Sequence, residues 1–245
     1  MESKILVSIQ NVKEIIQILK NPPDIVDLKN PLEGSLGAVP VPVIQMVGKH
    51  IDTFNLQSSR KIAFSVAIGD FPQLPGTASI AAYGVAHLHP DYVKIGLFGP
   101  RNLEEGVVLT KSVVEAVHLI SQNIKVVVVG YADQKELHSS INPMFIPEIA
   151  LLGGADIAML DTKLKNGQSL FDHLSLKDIQ QFVKDSRDKK LSVALAGALN
   201  FNHIDMLKRI HPDIVGVRSM VCGNFDRVNG ELKPDLLTRL KIAFE

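Results

Sequence analysis

The chain has one cysteine, Cys222, in 245 residues. A single thiol excludes an intrachain disulfide framework and fits a reducing cytosol. Charge of one sign is also missing: 26 basic and 26 acidic residues cancel. Whole-molecule electrostatics therefore give no reason to expect nucleic acid or an anionic membrane as a partner. No apolar window approaches the roughly 18 uninterrupted residues of a spanning helix. The run from Ile5 to Ile9, broken by Ser8, is too short for a signal peptide. Neither Gly-x-Gly-x-x-Gly opening a helix nor Gly-x-x-x-x-Gly-Lys-Ser/Thr occurs, so nucleotide-binding open sheets lose support. His87 and His89 stand two apart with no carboxylate or cysteine to complete a metal set. Cys222 lacks a histidine-containing motif and reads as a small buried residue near the last strand. What remains is a cytoplasmic protein with no expected metal, nucleic-acid or membrane partner.

What is present is a regular alternation. Apolar residues make up 46% of the chain, ample for a core. Strand-like runs cover residues 4–9, 24–29, 61–68, 92–96, 125–129, 156–161, 191–196 and 213–217. Between and after them, helical apolar spacing predicts helices over 12–20, 43–56, 76–87, 103–121, 144–152, 176–187, 203–210 and 234–244. Strand–helix alternation implies a parallel sheet, since each parallel crossover needs a helix. Eight such units in this length specify an α/β fold of the closed (β/α)₈ (TIM) barrel type, one domain spanning 1–245.

In that architecture the active site gathers at the C-terminal ends of the strands. Asp27 and Lys29, two apart in Asp-Ile-Val-Asp-Leu-Lys, share one face of the second strand. A structural ion pair is the alternative reading of that couple. The fourth strand offers Lys94 and Gly96, and the sixth offers Asp161 with Lys163 and Lys165 just beyond. Clustered lysines suit amine catalysis on a carbonyl, because a desolvated lysine beside other cations becomes nucleophilic and can form a Schiff base. The turns holding Gly197, Arg218 and Ser219 follow strands seven and eight, where this fold commonly binds phosphate. The loop Glu33-Gly34-Ser35-Leu36-Gly37 offers backbone amides and the Ser35 hydroxyl for a second phosphate, or is an ordinary turn. Together these features suggest a phosphorylated small carbonyl substrate.

Asp27-Leu28-Lys29-Asn30-Pro31, Glu33-Gly34-Ser35-Leu36-Gly37, Val93-Lys94-Ile95-Gly96 and Asp161-Thr162-Lys163-Leu164-Lys165-Asn166-Gly167 closely resemble the (5-formylfuran-3-yl)methyl phosphate synthase family of methanofuran biosynthesis. The resemblance covers essentially the whole chain. It implies a (β/α)₈ barrel and a carbon–oxygen lyase that condenses two glyceraldehyde 3-phosphate molecules into a furan aldehyde phosphate, losing phosphate and water. It implies no metal or organic cofactor. Lys29 would be the Schiff-base lysine and Asp27 its acid–base partner. Lys94, Asp161 and Lys165 would act in proton transfer and in stabilising the departing phosphate. Association into a homo-oligomer is a general expectation for such barrels.

Two other readings stay open at this level. One is a phosphate-binding barrel lyase or decarboxylase that uses Asp-x-Lys electrostatically, without an imine. The other is a non-catalytic barrel that binds a phospho-metabolite.

Overall fold

The computed structural model describes residues 2–137, 141–226 and 230–244. In chain order the elements are β1 (Lys4–Ile9), α1 (Val12–Ile18), β2 (Ile25–Leu28), α2 (Val41–Gln57), β3 (Ala63–Phe71) and α3 (Pro75–Ala86). They continue with β4 (Tyr92–Leu97), α4 (Leu103–His118), β5 (Lys125–Tyr131), α5 (Ile146–Gly153), β6 (Ile157–Asp161) and α6 (Leu170–His173). The last are α7 (Leu176–Asp188), β7 (Ser192–Leu195), α8 (Ile204–Ile210), β8 (Ile214–Val217) and α9 (Pro234–Phe244). The strands form a closed parallel barrel in sequence order, with β8 returning to β1 through Leu6 opposite Gly216. The expected barrel is therefore the fold. The short α6 has no counterpart among the expected helices, because four residues are too few to show a helical period. Among the described residues no helix is long and apolar enough to cross a membrane.

Local chemistry explains where the helices start. Asn11 accepts the Glu14 N–H at 3.1 Å and Asn102 accepts the Glu105 N–H at 2.9 Å. Ser175 and Asp178 form a capping box at α7. Proline occupies the first turn of α2, α3 and α5, where its missing N–H costs nothing.

Alternation along the strands separates two cores. Val7, Val26, Val66, Val93, Val126, Leu160, Val193 and Val215 face outward and pack under the helices. Leu6, Ile25, Ala67, Val127, Val129, Ile157, Met159, Ala194 and Ile214 fill the barrel interior. This inner set is small, and the polar residues continue along the same inward rows beyond it. After Ile25 come Asp27 and Lys29, and after Met159 comes Asp161. The interior thus changes from an apolar plug to a charged chamber toward the strands' C-terminal ends.

Candidate active site

The first layer of the chamber is set by register. Ser8 of β1 and Ser65 of β3 both stand opposite Asp27 of β2. Their hydroxyls donate to its two carboxylate oxygens at 3.0 and 2.8 Å. Lys94 of β4 stands opposite the small Ala67, which leaves its amine room to reach Asp27 at 2.8 Å. Asp27 is fully buried and Lys94 is 1% exposed. Burial pushes the Asp27 carboxyl up, but the Lys94 and Lys29 charges and the Lys94 and Ser65 hydrogen bonds outweigh it, so it is held below its ordinary value.

Lys29 lies one residue past β2, its backbone N–H donating to Ile9 O at 3.0 Å. Its amine is 3.7 Å from Asp161 Oδ2. Asp161 ends β6 and also accepts the Thr162 N–H at 2.7 Å and the Lys165 amine at 3.3 Å. Burial is the largest effect on Lys29; with help from the Lys94 and Lys165 charges it overcomes the attraction of Asp161 and lowers the amine to about 8. Burial opposes ionisation of Asp161 too, but Lys165, Lys29 and the Thr162 N–H overrule it and hold the carboxylate well below the usual range.

Above these layers is a cavity of about 640 Å³, enough for small phosphorylated metabolites. Lys29, Lys94, Asp161 and Lys165 line it, and so do Ser35, Gly197, Arg218 and Ser219. Gly197 and Ala198 both take left-handed backbone angles, φ 104° and 45°, in the turn after β7. A sequence profile of the 4-HFC-P synthase family matches residues 5–241. This chain belongs to that family. The (5-formylfuran-3-yl)methyl phosphate synthase of Archaeoglobus fulgidus is 44% identical over 240 residues, covering 98% of each chain. That of Methanococcus aeolicus is 41% identical over 236 residues, covering 96% of this chain and 97% of the other. A solved 3-hexulose-6-phosphate synthase shares the fold, with TM-score 0.61 at 13% identity over 99% of this chain and 100% of that one. Membership in a family of synthases makes the chain an enzyme.

The site pairs its charges differently from what the resemblance implies. Asp27 is bonded to Lys94 and two serines and is not among the cavity-lining residues, whereas the ion pair of Lys29 is with Asp161. Three-residue strand alternation places Asp27 and Lys29 on one face, but it cannot say which lies deeper, and depth decides the partner. Arg218 presents its fork to Glu14, with two contacts of 2.8 Å, and donates to Ser8 O at 2.9 Å. It therefore reaches the cavity as a fixed positive wall, not as a fork open toward a phosphate. Ser35 spends its hydroxyl proton on Thr162 O at 3.0 Å, so toward a ligand that oxygen can only accept.

Sequence reasoning missed Asp70 and Tyr131. A bulge between Ala67 and Gly69 shifts β3 by one residue, so Asp70 comes opposite Gly96. The Tyr131 hydroxyl donates to Asp70 in a short contact, and burial first, then the Asp70 charge, raises its pKa well above the ordinary value, so the phenol keeps its proton. A Cβ on Gly96 would collide with the Tyr131 hydroxyl and stand 2.5 Å from Asp70 Oδ1. Gly96→Ala is therefore expected to destabilise the protein by about 1–3 kcal/mol, as overpacking does. A lower urea midpoint, partly restored by adding Tyr131→Phe, is the expected observation. An unchanged midpoint would show that the contact relaxes freely.

Proposed function

We propose that this enzyme condenses two molecules of glyceraldehyde 3-phosphate into (5-formylfuran-3-yl)methyl phosphate through an imine on Lys29, a carbon–oxygen lyase reaction serving methanofuran biosynthesis. The observation that carries the reading is a buried lysine, lowered to about 8, at the floor of a cation-rich cavity in a chain of this family. At pH 7 such an amine is neutral about a tenth of the time, against a few ten-thousandths for an ordinary lysine.

The neutral Lys29 amine adds to the aldehyde carbon of one triose phosphate, and loss of water gives an iminium. Asp161, held ionised, balances that cation. Removal of the adjacent C–H proton gives an enamine, whose electrons expel the phosphate as its C–O bond breaks. Lys165 and Lys94 supply the positive charge that stabilises the departing anion. The second triose shifts a proton from C2 to C1 through its enediol, so that C2 becomes the carbonyl carbon. The freed carbon, nucleophilic as an enol, adds to it, and the C=O π bond breaks to a hydroxyl. The C1 hydroxyl of that triose closes the ring on the first triose's C2 carbonyl, two waters leave, and imine hydrolysis returns Lys29. The product keeps six carbons and one of two phosphates. The balance is one inorganic phosphate and two waters per furan, since the water released on imine formation is consumed at hydrolysis.

The test is direct. Glyceraldehyde 3-phosphate and enzyme are expected to give a furan-aldehyde absorbance band and one inorganic phosphate per furan. Phosphate release without the band, or binding without turnover, would overturn the reading. The pH dependence adds a second check. The rate of imine trapping by cyanoborohydride should rise with pH and level off above about 8, as Lys29 loses its proton. An unperturbed lysine would keep gaining rate to about pH 10.

A further inference from the structure

Two trioses bring two phosphates into one cavity, and the residues used so far leave one side of it unassigned. On that side Lys163, in the loop after β6, lines the cavity with its side chain 18% exposed. Asp70 Oδ2 grips its amine at 2.9 Å, and the amine also lies 4.8 Å from the centre of the Phe98 ring. Asp133 fixes the loop's backbone from below, accepting the Lys163 N–H at 2.9 Å and the Leu164 N–H at 2.6 Å. Asp70 in turn accepts the Tyr131 hydroxyl and, at 3.4 Å, the Leu36 N–H. A lysine held in this way has lost most of its freedom before any ligand arrives.

What the amine faces is the β2–α2 loop. A Cβ on Gly34, where φ is 136°, would collide with Asp70 and lie 3.4 Å from the Lys163 amine, so only glycine lets this backbone come so close. The N–H groups of Gly34 and Ser35 make no hydrogen bond among the described residues, and both residues line the cavity. An ammonium carries three donors and Asp70 uses one.

We propose that Lys163, positioned by Asp70, is the cation of a second phosphate-monoester subsite completed by the Gly34 and Ser35 amides. This rests on the two-triose reading above and assigns it the residue that holds the other phosphate. Asp70 is a positioning residue, because it touches the ligand only through Lys163.

The probe is glycerol 3-phosphate, which has the phosphate but no carbonyl and so binds without forming an imine. Calorimetry is expected to show two sites on the wild type and one on Lys163→Met, with the lost site weakened at least tenfold, as removal of a charge-assisted hydrogen bond does. Lys163→Arg keeps the charge and should retain both sites, which guards against a merely misfolded loop. Equal stoichiometry and affinity for Lys163→Met and wild type would overturn the proposal. Borohydride trapping of glyceraldehyde 3-phosphate on the wild type and on Lys29→Ala separates the two readings. An adduct on the wild type that is absent from Lys29→Ala, beside a glycerol 3-phosphate site lost in Lys163→Met, supports both, while loss of that site with no adduct on the wild type would sink the imine and leave the subsite standing.

Discussion

Lys29→Ala is expected to show no added mass after incubation with glyceraldehyde 3-phosphate and borohydride, where the wild type gains one reduced triose adduct. Furan formation should fall by on the order of 10⁶-fold, the scale seen when a nucleophile acting in concert with its neighbours is removed. The reasoning is about competition among amines. Lys29, Lys94 and Lys165 all line the cavity, and proximity to substrate does not distinguish them. What distinguishes Lys29 is the contact set. Lys94 is locked at 2.8 Å against a fully buried carboxylate, and Lys165 donates to the Thr162 carbonyl as well as to Asp161. Lys29 has the looser 3.7 Å pair and lies between two other cations that disfavour its proton. A triose adduct that persists in Lys29→Ala at wild-type yield would move the imine to one of the others. Reduced yield with unchanged furan output would remove the imine from the mechanism.

The parts of this molecule visible in the sequence are those set by short periods. Alternation within Asp-Ile-Val-Asp-Leu-Lys and Tyr-Val-Lys-Ile-Gly puts Asp27, Lys29 and Lys94 on inward faces, and the eightfold strand–helix rhythm makes those faces the lining of a barrel. The parts not visible are of two kinds. Asp70 and Tyr131 each follow a glycine, Gly69 and Gly130, at which the apolar run reads as finished, while the strands continue to Phe71 and Tyr131. Nothing local announces the bulge that turns Asp70 inward. Glu14 was hidden differently. It reads as an acidic residue in the first turn of a helix, and only the return of β8 to β1 brings Arg218 to it. Periodicity gives faces, but pairings across the barrel depend on register and depth, which a linear pattern does not carry.

Breaking the Asp27–Lys94 pair from one side should be the most destabilising single change at the site. Asp27 is fully buried and Lys94 nearly so, so removing either charge strands the other in a low-dielectric interior. Lys94→Met or Asp27→Leu is expected to cost about 3–5 kcal/mol by denaturant unfolding. The double variant Asp27→Leu/Lys94→Met leaves neither charge of this pair stranded and should lose clearly less than the two single losses added, with a coupling of about 2 kcal/mol or more. Simple additivity would mean that the two groups act independently. The pH dependence provides a sign that a packing defect would not reproduce. In the wild type Asp27 is held below its ordinary value, so the stability it contributes is present above about pH 4 and lost as pH falls through the lowered value. In Lys94→Met the Lys94 charge and hydrogen bond are gone, so burial is opposed only by the Lys29 charge and the Ser65 hydroxyl, and the Asp27 carboxyl should rise from its wild-type position. The folded variant then binds the proton more tightly than the folded wild type, and protonation relieves the stranded charge. The stability gap between wild type and Lys94→Met should therefore narrow as the solution is acidified and Asp27 takes up its proton, whereas a cavity left by a shortened side chain would keep it constant.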